Sequence, residues 1–448
     1  MKEYKHSVSL DVNKCKGCTA CLKRCPTEAI RIRDGHAVIN SERCIDCGEC
    51  IRVCSHKAKK ATHDSLEKME QFAYRIALPA PALYGQFDNM DNIGFIIEGL
   101  YKMGFDKVFE VARAAELVSA YTRIYLKRDD IPKPVISSAC PVISRMISMN
   151  YPFLCENIIP LLPPIEVAAG IARKEAMEEH PELSPEQIGV FFISPCPGKV
   201  SYVKNGFAGD KNAVDYVLSV RDVYFELIDV MKHIDDPAES TEAGMIGIGW
   251  ASTGGESSAI FNEHYLAADG IENCIRVLEQ IDNEGINNLE YVELNACSGG
   301  CVGGAMTVAN PYIAQARLQS LKRYLPVSPN RPEKEGTIPE AAMASDMIEY
   351  NPYNRLSDDR SEAMRMMAEI ESICTCLPGT DCGSCGAPTC MAFAEDIVKG
   401  ETNADECTVN MRMLFHQFLN KRKEGVPADA FPADKRIIKS SGDTGEKQ

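Results

Sequence analysis

Apolar runs and amphipathic stretches alternate through the middle of the chain, over about residues 70–325. Short apolar runs such as 107–111 and 188–193 predict buried strands. The stretches 114–127 and 166–179 have apolar residues at helical spacing and predict helices that lie beside those strands. Because strands that alternate with helices are typical of parallel sheets, the pattern predicts an α/β domain over 70–325.

The pattern changes at both ends of this domain. Residues 8–30 and 37–59 each follow the order short strand, cysteine loop, short helix, which predicts a small duplicated α+β domain over 1–62. The segment 326–357 is rich in proline, glycine and charged residues, so it is predicted to be a linker. Residues 358–425 are expected to form a small, mostly helical domain.

The first helix of this C-terminal domain has a regular apolar stripe. Apolar residues recur there at helical spacing, and the stripe is predicted to face a core. Its members are Met364, Met367, Ala368, Ile370 and Ile373. The tail 426–448 is polar and charged, with too little apolar content to order itself.

Composition excludes several classes of function. No uncharged apolar run reaches the ~18 residues that a membrane-spanning helix needs, and the N terminus leads into no apolar run, so we expect a cytoplasmic protein. The net charge of −16 and the lack of a basic stripe argue against nucleic acid as a partner, since phosphate binding needs such a stripe. Apolar residues at 45% are ample for a packed core.

The chain has 20 cysteines, and their spacing indicates metal clusters rather than disulfides. The first eight repeat the two-two-three spacing of bacterial ferredoxins, in which three thiolates wrap one cubane and the fourth crosses to the other. A zinc site is the alternative, but the doubled spacing argues against it. The expected ligands of one 4Fe-4S cluster are Cys15, Cys18, Cys21 and Cys54, and those of the other are Cys44, Cys47, Cys50 and Cys25.

Three further cysteine loops follow strand-like runs of the central domain. Their motifs are Ser-Ala-Cys-Pro, Ser-Pro-Cys-Pro-Gly-Lys and Asn-Ala-Cys-Ser-Gly-Gly-Cys-Val-Gly-Gly. In open α/β sheets ligands lie beyond the carboxyl ends of strands, so loops far apart in sequence can converge on one site. We therefore expect one buried cubane held by Cys140, Cys196, Cys297 and Cys301.

These three motifs resemble the signatures of the FeFe hydrogenase H-cluster domain. The resemblance implies a domain of two α/β lobes, with dihydrogen and protons as substrates and hydrogenase maturation proteins as partners. It implies that Cys301 also bridges to a diiron subsite with carbonyl, cyanide and dithiolate ligands. It further implies that Lys199 donates a hydrogen bond to a cyanide and that Pro81 and Ala82 lie over the diiron subsite.

The departures from the family pattern predict slow turnover. Ala139 stands where efficient members have the cysteine that passes protons, and Ser194 stands where a methionine is usual. Proton transfer by a positioned side chain is worth roughly two to four orders of magnitude. Ala139 together with Ser-Pro-Cys-Pro-Gly-Lys resembles the sensory branches, and the absence of a PAS-length segment resembles group D. The expected role is hydrogen or redox sensing, with electrons passed along 4Fe-4S clusters to a redox or signalling protein.

The C-terminal cysteines resemble the 4Fe-4S domain of corrinoid iron-sulfur and Rnf-type redox proteins. Cys374 and Cys376 lie just upstream, and we favour no ligand role for them. Cys155 and Cys274 have no partners at metal spacing and are interpreted as small buried residues. The expected ligands of the fourth cluster are Cys382, Cys385, Cys390 and Cys407.

Two other functions stay open. One is a turnover hydrogenase coupled to ferredoxin, which rapid dye-linked turnover despite Ala139 would reveal. The other is an iron-sulfur assembly protein, like the prelamin-recognition-factor-like relatives that keep the cubane but lack the diiron unit. The complete ferredoxin clusters and Lys199 weigh against the assembly role, because a scaffold has less need of an electron relay.

Overall fold

A computed structural model describes most of the chain, and its described residues divide into two compact units. The tail predicted over 426–448 and the last two residues of the predicted domain 358–425 lie outside the described residues. The described residues are 4–206, 213–237, 240–286, 288–353 and 355–423. Within them, unit 1 comprises residues up to Ser9, Ile45–Arg52 and Lys59–Pro352, and unit 2 comprises Leu10–Cys44, Val53–Ala58 and the residues from Tyr353 onward.

The described strands of the N-terminal region have three or four residues, and those of the central domain have two to seven. The described strands are β1 (Val8–Leu10), β2 (Ile30–Arg33), β3 (His36–Ile39), β4 (Lys59–Ala61), β5 (Tyr74–Pro79), β6 (Lys107–Val108), β7 (Val135–Ile136), β8 (Ile188–Ser194), β9 (Tyr216–Ser219), β10 (Tyr265–Asp269) and β11 (Tyr291–Asn295).

Helices fill most of the connections between the strands. The described helices are α1 (Ala20–Lys23), α2 (Glu49–Arg52), α3 (Gly94–Lys102), α4 (Val111–Tyr125), α5 (Pro141–Asn150), α6 (Pro164–Glu179), α7 (Pro197–Asn205), α8 (Val220–Met231), α9 (Met245–Gly249), α10 (Gly255–Ser258), α11 (Ile271–Glu284), α12 (Pro311–Leu321), α13 (Arg360–Cys376), α14 (Cys390–Val398) and α15 (Thr408–Lys423).

Unit 1 contains two parallel sheets, which confirms the predicted α/β class. One sheet has the order β6-β5-β8-β9 and the other the order β10-β11-β7, and the paired strands in both are parallel. Every residue of β8 is buried, as expected for a strand of a parallel sheet covered on both faces. The predicted strand over 107–111 is shorter than expected, because α4 already begins at Val111.

The ferredoxin-like region has the predicted duplication, since β1-α1-β2 is followed by β3-α2-β4. The hairpin β2-β3 turns at Asp34 and Gly35, whose φ angles of 49° and 75° suit a primed hairpin turn. The two halves repeat a local hydrogen bond to sulfur. The amide of Ala29 donates to Cys25 Sγ, and the amide of Ala58 donates to Cys54 Sγ, both at 3.2 Å.

The segment predicted as a linker makes backbone hydrogen bonds within unit 1. The amide of Met245 donates to the carbonyl of Pro326 at 2.8 Å, and the amide of Leu162 donates to that of Ala342 at 2.9 Å. Ala342 is buried in the core. The part of the segment up to Pro352 therefore packs as an extension of the α/β unit.

The predicted apolar stripe of α13 is wrong at three of its five positions. Met364, Met367 and Ala368 are exposed, whereas Ile370 is buried and Ile373 half-buried. The described core of the C-terminal module is small, centred on Ala392, Phe393 and neighbours, and cannot cover a wide apolar face. Among the described residues, no helix is both long and apolar enough to cross a membrane.

Candidate metal centre

The three central cysteine loops leave the carboxyl ends of parallel strands in unit 1. Strand β7 leads into the loop with Cys140, β8 into the loop with Cys196, and β11 into the loop with Cys297 and Cys301. Cys140 is the N-cap of α5 and Cys196 the N-cap of α7. The positive ends of two helix dipoles therefore point at the two thiols, and this favours negative charge there.

The four thiols lie close enough to influence one another. Burial raises the pKa of Cys196 to about 12, and the neighbouring Cys297 and Cys140 add to the rise. Burial also raises the pKa of Cys301, followed by the effects of Cys196, Cys140 and Cys297. Cysteines far apart in the sequence thus lie close enough to affect one another's pKa, and a metal would have to displace their protons on binding.

The donor set fits a cluster. Among the described residues, no three His, Cys, Asp or Glu side chains are close enough to hold a single metal ion. A cubane needs a wider arrangement, because each thiolate binds a different iron. Cys297 is buried, Cys140 and Cys196 are half-buried, and Cys301 is exposed.

Lys199 lies in the first turn of α7, inside the group of cysteines. Burial lowers its pKa, while Cys196 and Cys301 act in the opposite direction. Its Nζ lies 5.2 Å from the ring centre of Tyr202. Lys199 is half-buried, and an ammonium so close to several thiols is the arrangement expected of a cation that hydrogen-bonds an anionic ligand.

The other predicted site residues lie in a 3-10 helix and in the first two cysteine loops. Pro81 and Ala82 begin a buried 3-10 helix, Pro81–Gln86, which packs against the turn that contains Cys301. The hydroxyl of Ser194 donates to the carbonyl of Cys196 at 3.1 Å, so it shapes the loop. The amide of Ala139 donates to Ser137 Oγ at 3.1 Å.

Glycines let these loops pack against one another. A Cβ on Gly304 would lie 2.1 Å from the carbonyl oxygen of Pro195, and one on Gly300 would lie 2.7 Å from the amide nitrogen of Thr253. Gly300 also has a φ of 87°, which disfavours a side chain. Substitution at either glycine would separate the loops that bring the cysteines together.

A buried pair of carboxyl groups lies behind the first cysteine loop, and sequence analysis missed it. Glu256 accepts hydrogen bonds from Ser137 Oγ at 2.7 Å and from the Tyr291 hydroxyl at 2.5 Å. Burial raises the pKa of Glu256 to about 8, and the neighbouring Glu293 adds to the rise. The signal in the sequence was Glu293, a charged residue at the end of a strand-like run, and in the structure this residue is buried.

Arg52 is a second group that sequence analysis missed. Its Nη2 donates to Cys297 Sγ at 3.0 Å and to the carbonyl of Gly303 at 2.9 Å. Its Nη1 donates to Glu49 Oε1 at 2.6 Å and to the carbonyl of Cys47 at 3.2 Å. Burial lowers the pKa of Arg52, but the charges of Cys297 and Glu49 outweigh this and raise it above the ordinary value.

Comparison with known families identifies this centre. The C-terminal domain family of the iron-only hydrogenase large subunit matches residues 73–266 and 258–305. The chain belongs to the iron-only hydrogenase family. A 4Fe-4S dicluster domain family matches residues 7–55 of this hydrogenase-family chain, and an Fe-S cluster family matches 377–409. Family membership implies iron-sulfur clusters, with dihydrogen and protons as reactants.

Several hydrogenases are similar to this family member. The periplasmic [Fe] hydrogenase large subunit of Nitratidesulfovibrio vulgaris is 24% identical over 376 residues, 69% of this chain and 88% of that protein. Iron hydrogenase 1 of Clostridium pasteurianum is 23% identical over 383 residues, 69% of this chain and 66% of that protein. The structure of an FeFe hydrogenase variant from Chlamydomonas reinhardtii is 16% identical, with a TM-score of 0.43 over 57% of this chain and 86% of that chain.

The C-terminal module of this hydrogenase-family chain has a compact thiol site within unit 2. Asp381 Oδ1 accepts a hydrogen bond from the amide of Cys390 at 2.6 Å, and Thr389 Oγ1 caps α14. Hydrogen bonds from Ser384 lower the pKa of Cys382. One small cavity is lined by all four predicted ligands, Cys382, Cys385, Cys390 and Cys407.

The remaining predicted cysteines lie as follows. Cys155 and Cys274 are buried, as predicted. Cys376 is exposed and Cys374 half-buried, and neither lines the C-terminal cavity. Among the ferredoxin-type cysteines, Cys15, Cys18, Cys21, Cys25, Cys44 and Cys54 belong to unit 2, and Cys47 and Cys50 to unit 1.

Proposed function

We propose that the chain binds an H-cluster, reacts reversibly with dihydrogen at a slow rate, and reports hydrogen or redox state to a redox or signalling protein. The observation that carries this proposal is the position of Lys199 near the thiols of Cys196, Cys301 and Cys140, together with Ala139, which precedes Cys140 where efficient relatives have a thiol. In this proposal the ammonium of Lys199 hydrogen-bonds the diiron ligands. Ala139 has no thiol, so no side chain at this position can pass a proton to them. The protein acts in the cytoplasm and depends on hydrogenase maturation proteins.

In this proposal Cys140, Cys196, Cys297 and Cys301 hold the cubane, and Cys301 also holds the diiron subsite. When bound, the H-cluster supplies the metal chemistry that splits and forms dihydrogen. Lys199 orients the diiron ligands through a hydrogen bond. The buried 3-10 helix Pro81–Gln86 covers the site and keeps water out.

A proton-holding group that the fold places behind the first cysteine loop is the pair Glu256 and Glu293. With its pKa raised to about 8, Glu256 keeps a proton at neutral pH. Ser137 connects it to the amide of Ala139 by two hydrogen bonds. The route ends at a backbone amide instead of a titratable side chain, so we expect proton delivery to limit turnover.

Electrons leave along the ferredoxin-type clusters and the C-terminal cluster. In unit 2, the carbonyl of Pro388 accepts a hydrogen bond from Lys23 Nζ at 2.7 Å, and Lys23 lies beside the ligand Cys21. The amide of Ile32 donates to the carbonyl of Gly386 at 2.8 Å. The C-terminal cluster loop thus packs on the first ferredoxin loop, as an electron relay requires.

Infrared spectroscopy of the matured protein tests this function. We expect bands of metal-bound carbonyl and cyanide that change when hydrogen is added, together with slow dye-linked turnover. Absence of the bands after maturation would overturn the proposal and favour an assembly protein. A control with Lys199→Ala should load poorly, because the diiron ligands lose their cation.

A turnover hydrogenase coupled to ferredoxin is the second candidate. The buried Glu256 pair favours it, because a proton-holding group is present behind the site. Dye-linked turnover as fast as that of relatives with the proton-passing cysteine would establish this candidate and exclude the sensory one.

A further inference from the structure

Lys23 and Arg52 occupy equivalent positions of the ferredoxin repeat. Each lies two residues after the third cysteine of its motif, Cys21 or Cys50. Lys23 Nζ donates to the carbonyls of Asp381 and Pro388 in the C-terminal loop, within unit 2. Arg52 instead donates to a carbonyl and to a thiol of the hydrogenase domain, within unit 1. Each half of the repeat thus has one basic residue at this position. Of the two, Arg52 donates a hydrogen bond to a sulfur atom and Lys23 donates to carbonyl oxygens.

The thiol that Arg52 contacts is a predicted ligand of the central cubane. In the loaded protein, Cys297 Sγ is an iron-bound thiolate, and a hydrogen bond to it stabilises the more negative, reduced cluster. Hydrogen bonds to cluster sulfurs and local charge are among the factors that set iron-sulfur potentials. A guanidinium remains charged at any physiological pH, so this stabilisation is constant.

The contact is fixed in place by its surroundings. Glu49 and the carbonyl of Cys47 hold the other guanidinium nitrogen. A Cβ on Gly48 would lie 2.7 Å from the Cβ of Ala305, so the ferredoxin loop packs closely on the segment after Gly303. The two hydrogen bonds of Nη2 are partly buried, although Arg52 itself keeps exposed surface, and partial burial strengthens a hydrogen bond relative to one in water.

We propose that Arg52 is a positioning residue that raises the reduction potential of the central cubane through its hydrogen bond to Cys297. This inference rests on the proposed binding of a cubane by the four central cysteines. Electrons from the reaction with hydrogen would then be retained on the central cubane before they pass to the ferredoxin clusters. Such retention suits a protein that reports hydrogen rather than consuming it.

Redox titration followed by electron paramagnetic resonance tests the proposal in the full chain with its cubanes reconstituted and the diiron unit absent. The central cubane is identified as the signal lost in Cys140→Ser. In Arg52→Gln we expect about a tenfold fall in its reduced-to-oxidised ratio at a fixed potential, which is ~59 mV for one electron. Arg52→Lys keeps the charge but not the forked geometry, so its shift should be smaller.

Two matched variants keep the test decisive. Lys23→Gln removes the equivalent residue of the repeat and should leave the central potential unchanged. Glu49→Gln removes the anion beside Arg52 and should shift the potential in the opposite direction. An unshifted Arg52→Gln, or an equal shift in Lys23→Gln, overturns the inference alone. If the parent chain binds no central cubane, the proposed function falls with it.

Discussion

The central and the C-terminal cysteine sites of this chain are built in opposite ways. The central thiols come from loops spread between positions 140 and 301, on two different sheets, and burial raises the pKa of Cys297 and Cys301. The C-terminal thiols come from one short segment around a single cavity, where hydrogen bonds lower the pKa of Cys382 and burial raises that of Cys385. A site assembled by the whole fold can bring thiols from distant loops together around one reactive group. A site assembled by one loop suits a cluster that exchanges electrons near the surface.

The largest expected effect separates these two roles. Cys301→Ser should abolish the carbonyl and cyanide bands of the matured protein, because in the proposed function Cys301 bridges to the diiron unit. Cys382→Ser should keep these bands and their response to hydrogen, with the iron content reduced by one cluster. Infrared spectra and iron analysis of both variants provide the measurement. Cys155→Ala, at a buried cysteine away from metal spacing, should change neither. Bands that survive in Cys301→Ser would remove the distinction between the two sites.

The next effect concerns the proton-passing side chain that residue 139 does not provide in this chain. Ala139→Cys should raise dye-linked hydrogen turnover by about two to four orders of magnitude, because in the proposed function it places a titratable group beside the diiron unit. Ala139→Ser is the matched control, since its hydroxyl does not ionise near neutral pH. Hydrogen evolution with a reduced dye measures both. Equal rates in the parent and Ala139→Cys would show that proton delivery is not the limiting step.

Glu256 is expected to determine how much activity the central site has without a thiol at position 139. Glu256→Gln should lower the slow turnover of the parent by about tenfold or more, because the buried proton-holding group is removed while its hydrogen bonds to Ser137 and Tyr291 are largely kept. The same assay in Ala139→Cys shows whether the restored thiol still depends on Glu256. Unchanged turnover in Glu256→Gln would place the proton route elsewhere.

The same residue predicts a pH dependence of stability. An unfolded carboxyl ionises near its ordinary value of 4.5, whereas Glu256 in the fold ionises at about 8. Between these values the folded state holds the extra proton, so the free energy of unfolding should fall as pH rises. Above about pH 8 this contribution levels off. Urea unfolding from pH 5 to 9 should show a shallower fall in Glu256→Gln. Glu290→Gln, at a carboxyl whose pKa is lowered, should keep the slope of the parent.

Sequence alone located the cysteine sites but not the groups around them. The spacing of cysteines within one short segment can be recognised in the sequence, so Cys382 and its neighbours could be predicted as one site. The ends of the predicted strands indicated that Cys140 and Cys297 would lie close together. The contact between Arg52 and Cys297 could not be predicted, because the two residues are 245 positions apart in the chain. The exposure of Met364 was equally hidden, because it depends on how little core the C-terminal module has.

The smallest expected effect tests how the locally built site is held. In unit 2, buried Asp396 accepts hydrogen bonds from Arg31 at 2.7 Å and Arg33 at 2.6 Å. Asp396→Asn would leave two guanidinium groups without their anion, and we expect a loss of about 3 kcal/mol, the lower end for a broken buried pair because Arg33 partly reaches water. Denaturant unfolding followed by the absorbance of the C-terminal cluster measures it. Glu362→Gln breaks an exposed pair with Arg365 and should cause no measurable loss. Because the central thiols lie in the other unit, the hydrogen response should be the same in both variants, and a response lost in Asp396→Asn would mean that the two sites are not independent.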